Sequence, residues 1–201
     1  MPDWLAVKWM AEINRLSIVK NNMKGTVLDV GCSRGDFHSK IYRKGVYGLD
    51  LEDRGNIKKN FVVGDAQKMP FKNKFFDTVV AGELIEHLES PDKFLSEARR
   101  VLKDNGILIV STPNRKSMYN RLTKRYEHEW HKNLFDKKSL IRTIEKYGFN
   151  IIEFKTIAYD ESSSWGSNKH ALKLRRFLNN FLPEGLREDM IVVAVKRSEV
   201  K

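Results

Sequence analysis

The feature that most constrains how this chain can fold is an apolar run that ends in a glycine-containing loop. Residues 26–30 read Thr-Val-Leu-Asp-Val, and residues 31–36 read Gly-Cys-Ser-Arg-Gly-Asp. The apolar run predicts a buried strand, and the amphipathic segment from Phe37 to Tyr42 predicts a helix directly after the loop. A strand, a tight turn and a helix start in this order present backbone N–H groups to a ligand.

A carboxylate further along the chain favours a ligand-binding turn over an ordinary connection between a strand and a helix. Residues 45–50, Gly-Val-Tyr-Gly-Leu-Asp, predict a second strand that ends in Asp50, 19 positions after Gly31. An acid at this spacing can accept hydrogen bonds from the hydroxyls of a ribose. The two strands together therefore predict a site for a nucleoside-containing ligand.

The loop lacks the glycines of a dinucleotide-binding turn. The G-x-G-x-x-G fingerprint needs glycine at position 33 and glycine or alanine at position 36, where this chain has Ser33 and Asp36. Asp36 also places a negative charge at the helix N-terminus, where a pyrophosphate would lie. A ligand with a ribose and no phosphate fits these residues better.

The rest of the chain alternates between strand and helix patterns, which is typical of a parallel sheet covered on both faces. Strands are predicted at 26–30, 45–50, 60–64, 75–81 and 106–112, and helices at 35–43, 91–103 and 136–147. We expect the 201 residues to form one domain, with an N-terminal amphipathic helix (residues 3–20) within residues 1–22. Residues 159–188 break the pattern with a polar loop and a basic amphipathic helix, a candidate lid or membrane-surface contact.

The formal net charge of +11 is concentrated in the C-terminal half. One basic cluster comprises Arg115, Lys116, Arg121, Lys124, Arg125, Lys132, Lys137 and Lys138, and a second comprises Lys169, Lys173, Arg175 and Arg176. A basic surface attracts nucleic acid, anionic lipid or acidic substrates, although lysine also simply aids solubility. The chain has no apolar run of about 20 residues, no signal-peptide pattern and only one cysteine. We therefore expect a cytoplasmic protein.

Several motifs in order resemble those of the class I S-adenosylmethionine-dependent methyltransferases, in particular the small-molecule enzymes with a "type 11" domain. Residues 27–35 resemble the first motif, D-x-G-x-G-x-G, with Ser33 in place of the middle glycine. The similarity continues through 48–50, 63–66, 75–80, 84–88, 98–106 and 111–114. The resemblance implies a Rossmann-like, doubly wound α/β fold with a mostly parallel seven-stranded sheet. Its last strand, at 190–195, would run antiparallel beside a strand near 149–157.

The resemblance also implies S-adenosylmethionine as cofactor and a set of residues that bind it. Carboxylates suit a ligand that carries a sulfonium cation. The implied contacts are Asp29, Gly31 and Gly35 at the methionine part, Glu83 near the sulfonium, Asp50 at the ribose hydroxyls, Asp65 at the adenine amino group and Ala66 beside the ring, with Cys32 and Leu51 as further cofactor-binding residues.

Two histidines are the candidate catalytic residues. His87 follows the fourth predicted strand, in the loop where related enzymes meet their acceptor, and a histidine titrates near neutral pH. It can remove the proton of a hydroxyl acceptor as the methyl group arrives; the alternative is a structural histidine at a helix start. His131 is a candidate for the lining of the acceptor pocket. His128 and His131 lack a clear third ligand, and no metal is predicted.

The residues that end the fifth predicted strand argue against one class of acceptor. Residues 111–114, Ser-Thr-Pro-Asn, do not match the Asn-Pro-Pro-Tyr tetrapeptide that resembling enzymes use for exocyclic amines of bases or for glutamine. No RNA-binding module is visible. We therefore expect methyl transfer to a small-molecule acceptor, preferably at oxygen. The alternatives are an RNA or protein acceptor recruited by the basic surface, and a methyltransferase-like protein that only binds the cofactor or a partner.

Overall fold

Short apolar strands form a seven-stranded sheet, seen in a computed structural model that describes residues 15–32, 36–55, 57, 59–123, 131–157 and 181–198. The strands are β1 (Val27–Val30), β2 (Val46–Asp50), β3 (Phe61–Val63), β4 (Phe76–Gly82), β5 (Leu102–Pro113), β6 (Phe149–Ile157) and β7 (Asp189–Lys196). Their order is β3-β2-β1-β4-β5-β7-β6. The first five strands pair in parallel, and β7 lies antiparallel to β5 and to β6. The predicted doubly wound fold with an antiparallel last strand is confirmed.

The helices of the described residues begin at polar capping side chains where the sequence offers them. They are α1 (Arg15–Asn22), α2 (Asp36–Ile41), α3 (Pro91–Val101), α4 (Met118–Thr123) and α5 (Lys137–Lys146), with short 3-10 turns at Ile85–His87 and Glu184–Leu186. The hydroxyl of Ser90 accepts a hydrogen bond from the Lys93 amide at the start of α3. Asp136 and Ser139 form a reciprocal capping box at the start of α5. Such caps satisfy N–H groups that have no partner inside the helix.

The core lies on both faces of the sheet because successive strand residues point to opposite sides. On one face, Leu28 and Val30 belong to a cluster that includes Phe94 and Leu95 of α3 and Leu140 of α5. On the other face, Val27 joins a cluster with Ile18 and Val19 of α1 and Ile41 of α2. Helices therefore cover the sheet from both sides, and the ends of its strands remain as the place for a site.

Some element boundaries differ from those predicted. The helix predicted at 91–103 ends at Val101, and β5 begins at Leu102 instead of at 106. The reason is that the buried Leu102 pairs with Phe76 of β4, so tertiary contacts end the helix early. The short helix α4 is not predicted by the sequence pattern. Residues 3–14 of the expected N-terminal helix and residues 159–180 of the candidate lid lie outside the described residues.

No helix in the described ranges combines the length and the apolar character that crossing a membrane requires.

Candidate functional site

The glycine turn after β1 lies at the carboxyl edge of the sheet. Gly31 has a φ of 77°, a conformation that favours glycine, and its N–H donates to the carbonyl of Leu49 at 2.8 Å. A Cβ atom at this position would lie 3.0 Å from the side chain of Leu84. Glycine at position 31 therefore leaves room for the side chain of Leu84, and the tight turn that the sequence predicts after the first strand is present. The second predicted glycine, Gly35, lies outside the described residues.

Asp29, within β1, is buried and is held by a histidine for which the sequence pattern contains no signal. Its Oδ2 lies 3.0 Å from Nδ1 of His38 in α2, and both side chains are nearly inaccessible to solvent. Burial raises the pKa of Asp29, while His38 acts to lower it. The pair ties the first strand to the helix that follows the glycine turn. A direct contact between Asp29 and a cofactor stays a prediction.

Cys32 lies inside the turn as a small buried residue. Its thiol donates to the carbonyl of Leu49 at 3.6 Å. Burial, with the nearby carboxylates of Asp29 and Asp50, raises the pKa of this thiol, which keeps it protonated and a poor nucleophile. A Cβ at Gly48 would lie 2.7 Å from the sulfur, so glycine at that position leaves the space that Cys32 occupies.

The residues predicted to bind the adenosine part follow the ends of β2 and β3. Asp50 ends β2, and the adjacent Leu51 is 68% exposed, unusual for a leucine and available to a planar ligand. Asp65 follows β3 and accepts hydrogen bonds from the amide of Gln67 at 2.7 Å and from its side chain at 3.3 Å. Ala66 is buried next to it. The fold thus brings these predicted residues to one edge of the sheet.

Glu83, directly after β4, is held by two groups that come from distant parts of the chain. Its backbone has a φ of 51°, and its Oε1 accepts a hydrogen bond from the hydroxyl of Ser111 at 3.0 Å. The guanidinium of Arg15 lies 3.4 Å from the same oxygen and is itself buried. The sequence pattern contains no signal for Arg15. These contacts orient the Glu83 carboxylate at the carboxyl edge between β4 and β5.

The two predicted catalytic histidines lie next to one another. His87 ends the 3-10 turn after β4, its side chain is 41% exposed, and its ring centroid lies 4.9 Å from that of His131. The Nε2 atom of His87 is 3.8 Å from Oε1 of Glu86, which is buried. The structure therefore assembles a Glu86–His87–His131 cluster. The catalytic roles of the two histidines stay predictions.

The segment before α5 is held to the loop after β4 by hydrogen bonds and an ion pair, and these contacts bring His131 next to His87. The amide of Asn133 donates to the carbonyl of Glu86 at 3.0 Å, and its side chain donates to the carbonyl of Leu88 at 2.6 Å. Lys132 forms an ion pair with Glu89. Three consecutive residues, 131–133, thus contact the loop that carries His87.

Glu86 is a functional candidate that the sequence analysis does not select. Its Oε2 accepts a hydrogen bond from the hydroxyl of Thr112 at 2.9 Å, while Oε1 is buried with no hydrogen-bond partner among the described residues. Burial, and then the charge of Glu83, raise the pKa of Glu86 well above its ordinary value. A neutral carboxyl beside His87 is the expected form. A glutamate directly before a candidate catalytic histidine is the only sequence signal for it.

We expect Glu86→Gln to become more stable relative to the native protein as the pH rises above about 4.5. In that range the carboxyl ionises in the unfolded native protein and stays protonated in the folded one. The free energy of unfolding of the native protein therefore falls by up to about 1.4 kcal/mol per pH unit, whereas that of the Gln variant does not. Urea unfolding of both proteins at pH 5, 6.5 and 8 measures the difference. Glu97→Gln is the control: the hydrogen bond from Arg100 lowers the pKa of Glu97, so this carboxylate is ionised in both the folded and the unfolded state at these pH values and the stability difference should stay constant. A pH-independent difference for Glu86→Gln would contradict the neutral carboxyl.

Two clusters of the described residues have the composition of a metal site. Glu86, His87 and His131 form one, and Asp29, Cys32 and His38 form the other; within each cluster the donor atoms lie within 4.8 Å of one another. From the sequence no metal is predicted, because His128 and His131 lack a clear third ligand. Glu86 and His87 supply the missing groups, which removes that reason. The absence of a metal stays a prediction.

Comparison with known proteins places these motifs in a family. A family model described as a methyltransferase domain matches residues 3–154. An uncharacterised protein of Methanocaldococcus jannaschii is 30% identical over 153 residues, which are 69% of this chain and 71% of that relative. A fatty-acid O-methyltransferase of Mycolicibacterium smegmatis is 31% identical over 163 residues, 70% of this chain and 56% of that enzyme. This chain spans 45% to 71% of the length of three M. jannaschii relatives.

A solved structure shows the same fold. The crystal structure of a Thermotoga maritima S-adenosylmethionine-dependent methyltransferase, described as a possible histamine N-methyltransferase, matches with a TM-score of 0.68 and 23% sequence identity. The match covers 96% of this chain and 93% of that one. The family model, the glycine turn with its downstream acid, and the seven-stranded sheet agree. This protein belongs to the class I S-adenosylmethionine-dependent methyltransferases, enzymes whose methyl donor is S-adenosylmethionine.

Proposed function

We propose that this enzyme transfers the methyl group of S-adenosylmethionine to an oxygen atom of a small-molecule acceptor. The observation that carries the proposal is the position of His87. Its imidazole is partly exposed at the carboxyl edge of the sheet, in the same connection after β4 that carries Glu83. A neutral imidazole there can accept the proton of a hydroxyl group.

The residues at the strand ends fit S-adenosylmethionine. The glycine turn lies at the carboxyl edge of the sheet, where Gly31 has the positive φ that favours glycine, and the exposed Leu51 offers an apolar surface beside Asp50. Asp50 would accept hydrogen bonds from the ribose hydroxyls, and the carboxylate of Glu83 would lie on the side of the positive sulfonium. Asp65 and Ala66 would lie at the adenine.

When bound, the cofactor supplies a methyl group on a positively charged sulfur, which leaves as a neutral thioether once the new bond to oxygen forms. His87 would take the proton that the hydroxyl loses, and His131 would lie beside it in the lining of the acceptor site. Correct alignment of the acceptor with the methyl carbon contributes up to about 7–11 kcal/mol to lowering the barrier. The contacts of segment 131–133 with the loop after β4 would help to hold that alignment.

Oxygen is favoured over nitrogen for three reasons. A proton acceptor is needed for a hydroxyl but not for an uncharged amine, whose lone pair attacks directly, and His87 provides one. The M. smegmatis relative is named as an O-methyltransferase acting on fatty acids. The residues at the end of β5 and directly after it, 111–114, Ser-Thr-Pro-Asn, also differ from the tetrapeptide associated with exocyclic amines.

Turnover with a matched set of acceptors tests this function. We expect the purified enzyme to form S-adenosylhomocysteine with a phenol more rapidly than with the corresponding aniline. Asp50→Ala should weaken cofactor binding, measured by calorimetry, by roughly 1–3 kcal/mol because an acid that accepts ribose hydrogen bonds is lost. Faster turnover of the aniline would contradict oxygen as the acceptor atom. Methylation of RNA or protein in place of every small molecule would contradict the small-molecule class.

A further inference from the structure

We propose that the cleft that follows β5 binds an anionic group of the acceptor, a carboxylate or a phosphate, separate from the oxygen that is methylated. This proposal rests on the proposed function, because it names the chemical class of that acceptor. The cleft has a volume of about 510 Å³ and is lined by Arg115, Lys116, Arg121, Gly185 and Leu186. Three of its five lining residues are cations and none is an acid.

Asn114, buried directly before the two cations Arg115 and Lys116, holds the cleft in place. Its side-chain amide donates to the carbonyls of Gly185 at 3.1 Å and Arg187 at 2.9 Å. Its side-chain oxygen accepts from the amide of Lys116 at 2.9 Å. Both walls of the cleft are therefore connected through one residue. These bonds fix the backbone from which the exposed Arg115 and Lys116 side chains reach the cleft.

Two carboxylates near the cleft, Asp136 and Glu184, are paired with lysines, and one of these lysines, Lys116, lines the cleft. Asp136 lies 2.8 Å from the ammonium of Lys116, and Glu184 lies 3.6 Å from that of Lys137. Within the described part of the chain, the guanidinium groups of Arg115 and Arg121 have no carboxylate partner. Guanidinium groups match carboxylates and phosphates with two parallel hydrogen bonds, which makes them suitable for holding such a group in one orientation.

The cleft and the histidines lie on the same edge of the sheet. Arg115 follows the end of β5 and donates its amide hydrogen to the carbonyl of Phe135 at 2.9 Å. Two residues earlier, Asn133 donates to the carbonyl of Glu86. The segment 131–136 thus connects His87 with the cleft. An acceptor could place its anionic group at the arginines and its hydroxyl towards His87.

An apolar surface accompanies the cations. Met118 and Leu122 are one turn apart in α4, on the same side of the helix, and are 42% and 76% exposed. Arg121 is on the same short helix. An acceptor with both an apolar body and an anionic group complements this surface better than a purely polar molecule.

Two probes that differ only in charge test the proposal. Dihydroxyphenylacetate carries a carboxylate and phenolic hydroxyls, and dihydroxyphenylethanol is its neutral counterpart. We expect the enzyme saturated with S-adenosylhomocysteine to bind the acid roughly tenfold more tightly in calorimetry, and this preference to decrease as salt rises. In R115Q/R121Q the two probes should bind with similar affinity. R142Q, which replaces an exposed arginine of α5 outside the cleft, should retain the preference.

The outcomes separate this proposal from the proposed function. Equal binding of both probes by the native enzyme, no binding of either, or an equal loss in R142Q would overturn the anion site. Binding of RNA that R115Q/R121Q abolishes, without a preference for the acidic probe, would also overturn it and favour a nucleic-acid acceptor. If S-adenosylhomocysteine itself does not bind, or the native enzyme methylates only amines, then the proposed function fails.

Discussion

His87→Ala is expected to lower kcat by roughly 10²–10⁴-fold with a hydroxyl acceptor, the range typical for loss of a general base. The dissociation constant for S-adenosylhomocysteine should change by less than about twofold, because the residues proposed to bind the ribose and the adenine follow β2 and β3, and Glu83 is held by Ser111 and Arg15 and not by His87. The reason for the large effect is that a neutral hydroxyl is a poor nucleophile unless its proton is removed as the methyl group is transferred. Steady-state turnover and calorimetry on the same preparation give the two quantities.

His131→Ala is the matched control for this experiment. Its ring contacts that of His87, so its loss should alter the pH dependence of kcat/KM and reduce turnover less than the loss of His87 does. Added imidazole should partly restore the activity of His87→Ala if the missing group is a base. An equal fall in turnover and in cofactor affinity for His87→Ala would show a structural role instead, the alternative that the sequence leaves open.

Asn114→Ala is expected to lower the free energy of unfolding by about 2–4 kcal/mol. The side chain of Asn114 is buried and makes three hydrogen bonds, two to carbonyls in the segment before β7 and one to the amide of Lys116. Alanine leaves these backbone groups without their partner in a place that water reaches poorly. Urea denaturation at neutral pH, with a comparison of the m-values, measures the change.

Asn120→Ala provides the comparison for this variant. Its side-chain amide makes one hydrogen bond, to the carbonyl of Asn114 at 2.9 Å, and the expected loss of stability is about 1 kcal/mol. A similar small loss for Asn114→Ala would mean that the segment before β7 holds its place without this residue. In Asn114→Ala the preference for an acidic acceptor should also weaken, since Asn114 connects both walls of the cleft.

Much of the fold can be predicted from the sequence because its signals are local. The apolar runs of β1, β2, β4 and β5 and the glycine at position 31 depend only on neighbouring residues. The boundary between α3 and β5 could not be predicted in the same way. Leu102 fits the apolar face of a helix as well as a strand, and its pairing with Phe76 decides between them. Helix α4 is too short for its periodicity to be informative.

The candidate site likewise contains some residues that could be predicted from the sequence and others that could not. Asp50 could be selected from its spacing after the glycine turn, and Asp65 and Glu83 from the resemblance of their motifs to those of the family; the fold brings all three to one edge of the parallel sheet. Arg15 and His38 carry no such signal: they matter through ion pairs with residues that are identified only after the chain folds. Asn114 is prominent in the sequence as part of a tetrapeptide that does not match, and its structural role depends on carbonyls about 70 residues away.

The sequence by itself determined the alternation of strands and helices and a turn suited to a nucleoside-containing ligand, because these depend on short segments, and the resemblance of its ordered motifs to a known family identified a methyltransferase. Only the tertiary structure decided that His87 and His131 touch, that a buried carboxyl lies beside them, and that two arginines line a cleft on the same edge. These arrangements depend on which loops meet across the sheet, and on the burial that shifts the pKa of Glu86. Contacts of this kind arise between residues far apart in the chain, and no pattern of neighbouring residues records them.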